Sequence, residues 1–309
     1  MNLRSLALST YRQLRHWRNF VGPHRFINRS HGHKRLAVIL TGYYPNLWPA
    51  TLERLAALQF TDTDICLVCA GAPLAPVAEI AERHGWSLLH TRSRHPGLGL
   101  NLAIQNHLQA HWIHKLDEDI VLPKNYFADL ETGYQRVASQ GNYRLGIYAP
   151  LINVNPFSYA PFLEKIGATP DYIKRFGPLI RGTFDIPAYH DANAAKAIWD
   201  ASLPFDDTAA KISDHPWSWE PIPHRFCIGA ILMERDWWQE LGGIRRPFAG
   251  TILGADEEHL CFATQTRGRI IGLDHSILVG HLGFGPQRTG LAQHLPQLIR
   301  ALNLNKVQS

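Results

Sequence analysis

Three carboxylates stand in a row at Asp117-Glu118-Asp119, directly after the apolar run His111 to Leu116 and before Ile120-Val121-Leu122-Pro123. That much negative charge at the end of a buried strand is costly unless a cation neutralises it. For an Asp-x-Asp pair the usual neutraliser is a hard divalent ion such as Mg²⁺ or Mn²⁺, itself bound to phosphate. An N-cap or a solvated acidic turn before Pro123 is the plain alternative. A second acidic run, Asp256-Glu257-Glu258, opens a helical pattern beyond Gly250 and Gly254. A helix N-terminus favours an ionised carboxylate, and an ionised carboxylate can accept a proton from a reacting hydroxyl. Complementing the helix dipole is the other common job of such acids.

Both runs need a scaffold, and the sequence provides strand and helix in alternation. Leu36 to Leu40 is a short continuous apolar run, as in a strand buried on both faces, and Thr41-Gly42-Tyr43-Tyr44-Pro45 breaks it. Ala50 to Leu58 reads as a helix, and Asp64 to Cys69 as a strand ended by Ala70-Gly71-Ala72-Pro73. Ala75 to His84 is again helical and Trp86 to His90 a third strand. A Gly-rich connection at His95-Pro96-Gly97-Leu98-Gly99 leads to a helix from Asn101 to Ala110, and the strand His111 to Leu116 delivers the carboxylates. Alternation at these lengths indicates a doubly wound, mostly parallel sheet. Ligands of such sheets gather at the carboxyl ends of strands, where Thr41-Gly42 and Asp117 to Asp119 both fall.

The second half is less regular. Tyr143 to Asn153 and Phe226 to Met233 read as strands, and Tyr159 to Ile166, Ala192 to Trp199 and Asp236 to Leu241 as helices, the last stopped by Gly242-Gly243. Asp256 to Arg267 reads as a helix, Arg269 to Leu273 and Ser276 to Val279 as two strands, and Leu291 to Leu304 as a helical tail.

The chain has 309 residues, 45% hydrophobic and 18% charged, enough for one large α/β domain. Its net charge is +5, and residues 1 to 35 carry Arg4, Arg12, Arg15, Arg18, Arg25, Arg29, Lys34 and Arg35 with no acid. Leu3, Ala7, Tyr11, Leu14, Trp17 and Val21 follow helical spacing. This basic amphipathic stretch suits either an anionic membrane surface, through residues 1–30, or packing on the domain with its arginines in water. Gly22-Pro23 to His33 reads as a linker. No aromatic-basic motif of the RNA-binding kind is present, so no nucleic-acid partner is expected.

Cys66 and Cys69 form a C-x-x-C inside an apolar strand, where positions three apart face opposite sides, so core packing is the expectation. Sparse cysteines suit a reducing compartment. No window approaches the ~20 apolar residues of a membrane span, and no signal peptide is evident. The expectation is a cytoplasmic protein, peripheral on the inner face of the plasma membrane.

Four pieces, in order, carry a family resemblance. They are the strand Leu36 to Leu40 with its polar turn, and the helix Asn101-Leu102-Ala103-Ile104-Gln105 leading to the acidic strand end. The third is Ile228-Gly229-Ala230-Ile231-Leu232-Met233 with Trp238-Gln239-Glu240-Leu241-Gly242-Gly243. The fourth is Gly254-Ala255-Asp256-Glu257-Glu258-His259-Leu260, with Gly268 and His281 downstream. Over roughly residues 34 to 285 the chain resembles the GT-A glycosyltransferases, most closely the inverting family 2.

The resemblance implies an α/β, Rossmann-like fold with a mixed, mostly parallel sheet flanked by helices. It implies transfer of a sugar, with inversion, from a nucleotide-diphosphate donor to a hydroxyl of a glycan or lipid-linked acceptor. Lipopolysaccharide or other cell-surface polysaccharide synthesis is the expected setting. It makes Asp119 a ligand of Mn²⁺ or Mg²⁺, sets Asp117 against the donor's ribose or the metal's water shell, and has His281 complete the coordination. Glu257 becomes the first choice of base and Asp256 the second, since the two acids stand in exchanged order relative to the family. Thr41, Gly42 and Tyr43 fall where the family binds nucleobase and ribose, and Arg94, with Arg92 and His95, lies near for phosphate or base. Asn101 matches an asparagine frequent at that helix start, which N-capping explains more simply. Arg288 lies in a segment able to fold over the diphosphate. Ala70-Gly71-Ala72 departs from the aspartate that family members carry there, which leaves the base open.

By this reading residues 1–33 are an extension and linker, 34–123 the donor half, 124–285 the acceptor half and 286–309 a tail. Trp217, Trp219, Tyr159, Phe162 and Tyr189 are suited either to stack on sugar rings or to fill the core. The rivals are a retaining GT-A transferase, a sugar-phosphate nucleotidyltransferase (whose G-x-G-T-R-like loop is missing) and a non-catalytic carbohydrate- or lipid-binding protein on a decayed transferase fold.

Overall fold

The computed structural model describes residues 17–182, 186–246, 254–283 and 288–304. In chain order the strands are β1 (His24–Ile27), β2 (Arg35–Leu40), β3 (Thr63–Ala70), β4 (Ser87–Thr91), β5 (Trp112–Asp117), β6 (Ile120–Val121), β7 (Leu145–Ile152), β8 (Trp219–Ile222), β9 (Ala230–Glu234) and β10 (Ile270–His281). The first helices are α1 (Leu52–Ala57), α2 (Ala75–Arg83), α3 (Pro96–Asn106), α4 (Tyr126–Ser139), α5 (Tyr159–Lys165) and α6 (Thr169–Phe176). They are followed by α7 (Pro187–His190), α8 (Ala192–Ala201), α9 (Phe205–Ser213), α10 (Arg235–Leu241), α11 (Ala255–Thr266), α12 (Arg288–Leu291) and α13 (Leu295–Leu304). The result is a mixed α/β fold whose sheet is flanked by helices, with parallel pairs β2–β3, β3–β4 and β7–β10. Antiparallel β1, β6, β8 and β9 are added to them.

Two compact units divide the chain. The first comprises the residues up to Tyr43 with Thr61–Lys115 and Met233–Ala263. Its strands run in the order β1-β4-β3-β2-β5. Every residue of β3 is buried, which is why its apolar run is continuous rather than alternating. α3 begins at Pro96, five residues before the expected start, so the supposed Gly-rich connection is helix. A side chain at Gly99 would collide with Val68 on β3, and one at Gly97 with Ile244. Those glycines let the helix lie close on the sheet, at a modest helix-propensity cost.

The expected linker after residue 22 also differs. His24 to Ile27 pair antiparallel with Thr91 to Leu88, so β1 caps the sheet edge. The backbone N–H groups of His31, Gly32 and His33 all donate to the buried carboxylate of Asp64. Of the amphipathic N-terminal stretch, residues 1–16 lie outside the described residues. Its end is docked: Phe20 packs edge-on against Trp238, 5.5 Å between ring centres, and Asn19 donates to the Gly242 carbonyl.

The second unit comprises Tyr44–Phe60, Leu116–Leu232 and the chain from Thr264 onward. Its strands run β9-β7-β10-β6, with β8 on β10. The two strands expected between Arg269 and Val279 are one, β10. Its register against β7 slips between Asp274 and Leu278, and the polar break hides a satisfied buried acid. Asp274 accepts from the Tyr148 hydroxyl (2.8 Å), the Trp217 indole (3.2 Å) and Ser276. α4, which lies outside the elements expected from sequence, shows helical spacing in buried Tyr126, Phe127, Leu130, Tyr134 and Val137. Gly133 interrupts it because a side chain there would strike Asp274. The tail is helical as expected, burying Leu298 and Leu302.

Candidate active site

The acidic strand end belongs to the second unit: Asp117 closes β5, and Glu118 and Asp119 form the turn that leads into β6. Glu118 turns inward: it is 3% exposed, and it accepts from the Tyr44 backbone N–H (3.0 Å) and the Trp48 indole N–H (2.5 Å). That tie pins the 44–48 segment to the acidic turn and leaves Asp117 and Asp119 for other work.

The two-residue β6 pairs with the end of β10, matching His281 with Ile120, so the turn and the histidine arrive together. His281 Nε2 lies 3.5 Å from Asp119 Oδ2, and both residues are 5% exposed. The ring is held from behind, with Nδ1 donating to the Val154 carbonyl (3.2 Å). Backbone anchors fix the rest: the His281 N–H donates to Asn153 Oδ1 and the Trp199 indole donates to the His281 carbonyl. Burial disfavours the imidazolium, yet the Asp119 and Asp117 carboxylates and the Val154 carbonyl outweigh it and raise the pKa of His281 above its ordinary value.

Two glycines make room. A side chain at Gly283 would collide with the Asp119 carboxylate. A Cβ at Gly229 would stand 3.7 Å from Asp117 Oδ2 and 3.9 Å from His281 Nε2, so its absence keeps the space beside both groups open. The Gly229 carbonyl accepts from the Asp117 N–H at 2.8 Å. Asp119 Oδ1 is buried and has no hydrogen-bond partner among the described residues. A buried carboxylate oxygen left without a partner is costly, roughly 1–3 kcal/mol or more for a charged group, so such a site is shaped for a cation.

Among the described residues no three His, Cys, Asp or Glu side chains close into a ready metal cage. A Mg²⁺- or Mn²⁺-type ion needs no such cage, since it takes one or two protein carboxylates and completes its shell with water and substrate phosphate. The imidazole has the arrangement expected of a metal ligand, one nitrogen anchored on a carbonyl and the other turned to the carboxylate. The residues present therefore fit a divalent ion.

In the first unit, the carboxyl ends of β2, β3 and β4 gather four of the expected donor residues. Thr41 is buried, its N–H donating to the Val68 carbonyl. Gly42 has φ +104°, and its missing side chain would press on Ala72 and Val77. Tyr43 donates from its hydroxyl to the Ala70 carbonyl (2.7 Å), yet its ring remains 45% exposed. Exposed Arg94 lies over Gly71, where a side chain would collide with it. An open aromatic face and a guanidinium at strand ends suit a base and a phosphate.

Asn101 does not stand at its helix start. It is fully buried in mid-helix, donating to the carbonyls of Asn19 and Ile244 and accepting from the Trp238 indole and the Ile244 N–H. All of its polar positions are taken within the chain, and it does not cap the helix; it ties the N-terminal segment to the α10 region. Asp256 and Glu257 occupy the first turn of α11, as expected, and both are part-buried. Arg288 opens α12, but its side chain lies outside the described residues. Tyr159 and Phe162 are fully buried and belong to the core, while Trp217 is committed to Asp274. Reasoning from sequence missed Gly229, Gly283, Asn153 and the Glu118 tie. The signal for Asn153 was an asparagine ending a buried strand.

The alternation of elements, with an acidic turn closing β5, has the form that the GT-A resemblance implies. In comparison with known proteins, no family model matches the chain, and no curated protein matches it. Among solved structures it is similar to the mannosyltransferase PcManGT from Pyrobaculum calidifontis, in complex with GDP-Man and Mn²⁺, at 12% identity and TM-score 0.48, over 96% of this chain and 72% of that one. It is also similar to S. aureus TarS 1–349 in complex with UDP, at 13% identity and TM-score 0.31, over 38% of this chain and 35% of that one.

Proposed function

We propose that this chain is a metal-dependent glycosyltransferase, moving a sugar from a nucleotide-diphosphate donor to a hydroxyl of a glycan or lipid-linked acceptor with inversion. One observation carries the reading: the buried, unpartnered Asp119 oxygen beside an imidazole anchored from behind. Asp119 and His281, with Asp117 nearby, would hold a divalent ion whose charge stabilises the leaving diphosphate. Tyr43 offers its exposed face to the base, and Arg94 its guanidinium to a phosphate. Glu257, with Asp256 as the alternative, takes the proton from the acceptor hydroxyl, its charged form favoured by the start of α11.

The experiment separates the two carboxylate roles. Calorimetry with Mn²⁺ plus GDP or UDP should show binding that Asp119→Asn weakens about tenfold or more. Glu257→Gln should leave that binding nearly unchanged while transfer falls by about 100-fold or more. Wild-type affinity in Asp119→Asn would end the metal assignment. NMR of the product anomer decides between inversion and retention.

A further inference from the structure

Between α6 and residue 182 the second unit presents apolar side chains to water in a basic setting. Ile173 is 43% exposed and Ile180 51% exposed. Neither exposure comes from a loose chain. Tyr172, next to Ile173, is buried against Tyr159 (5.7 Å between ring centres) and Phe176 (5.1 Å). That fixes which way α6 faces and leaves Ile173 outward.

Ile180 is clamped by the same tyrosine. The Tyr159 hydroxyl donates to the Ile180 carbonyl (3.0 Å) and accepts from its N–H (2.8 Å). One buried side chain thus holds both segments side by side. Exposed Lys174 and Arg175 adjoin them and form no ion pair among the described residues, although Arg175 lies over the Phe176 ring at 4.8 Å. Arg181 is engaged by Glu164 and Glu220, and exposed Asp171 is the acid within α6.

A fixed apolar pair beside two cations that form no ion pair among the described residues has the chemistry of an interfacial anchor: apolar groups enter the acyl boundary while cations meet anionic headgroups. We propose that the Ile173–Arg175 and Ile180 surface docks on an acidic phospholipid membrane. Charge complementarity selects this occupant over a neutral surface. The inference stands apart from the sugar-transfer reading, because it involves none of the residues assigned to that reaction.

Sedimentation of the full chain with vesicles tests it without any activity readout. Wild type should bind vesicles containing phosphatidylglycerol and bind pure phosphatidylcholine weakly. Lys174→Glu with Arg175→Glu, and separately Ile173→Asp with Ile180→Asp, should each cut binding by about tenfold or more at unchanged Tm. In an Ile180→Trp variant the indole emission should shift to the blue on the anionic vesicles. Wild-type binding by either double variant, or an unshifted indole, overturns the proposal. Release by inorganic phosphate at constant ionic strength would overturn it in favour of a free-anion site. A lipid-free fall in sedimenting mass in Ile173→Asp with Ile180→Asp would overturn it in favour of a contact between copies.

Discussion

Asp119 depends on what its neighbours lack as much as on what they offer. Gly283 has no special backbone angle to justify a glycine; the carboxylate occupies the space its side chain would take. Gly283→Ala should therefore fold, yet push the carboxylate away from His281. Mn²⁺-dependent nucleoside diphosphate binding should fall about tenfold or more, while Tm changes by a few degrees at most. Gly229→Ala makes the graded comparison. Its Cβ would meet Asp117 and His281 at ordinary contact distance, with only Ile120 crowded at 3.2 Å, so it should cost less affinity. Equal binding by wild type and Gly283→Ala in calorimetry would show that the space serves nothing.

At the scale of elements, β10 matters most, because it carries His281 to the site while holding a buried acid at its slip. Next to that slip, Glu220 on β8 joins His275 and Arg181 at 3.1 Å and 2.8 Å. Burial alone would raise the Glu220 pKa, but the His275 hydrogen bond and the Arg181 charge outweigh it and leave the group lowered. A carboxylate lowered on folding stabilises above its unfolded pKa, about 4.3, and that contribution fades as pH falls through the folded value. With Glu220 28% exposed, about 1 kcal/mol is the scale. Urea unfolding should find Glu220→Gln less stable than wild type at about pH 6, with the gap closing towards about pH 3. A gap that stays constant would refute the linkage.

The same elements show how much was legible. Apolar runs of β2, β3 and β4 are unambiguous because they are buried on both faces, and the acids sit where the pattern puts them. Illegible features were set by partners distant in sequence. Gly97 and Gly99 mimic a loop until β3 lies against them, Asp274 mimics a turn until Tyr148 and Trp217 satisfy it, and β1 needs β4 to exist as a strand. Asn101 reads as a helix start because Gly97 and Gly99 precede it, whereas the helix begins at Pro96 and residues 19, 238 and 244 hold its amide.

At the scale of the whole molecule, mass action couples ligand binding to stability. A ligand that binds only the folded chain adds RT ln(1 + [L]/Kd) to stability, about 2.7 kcal/mol at a hundred times Kd. For a chain of 309 residues, with about 2–4 °C per kcal/mol in somewhat smaller domains, that shift is several degrees. Thermal unfolding should rise by that much with Mn²⁺ and the correct nucleoside diphosphate together, and by little with either alone, since in the proposed site Asp119 and the diphosphate would each satisfy only part of the ion. The net charge of +5 adds a second signature: an anionic donor is drawn in by the field, so its association rate should fall as salt rises. A panel of nucleoside diphosphates identifies the base, which Ala70-Gly71-Ala72 leaves unspecified. No stabilisation by any member of the panel with Mn²⁺ would remove the donor site from the molecule. A full shift with nucleotide alone would remove the metal.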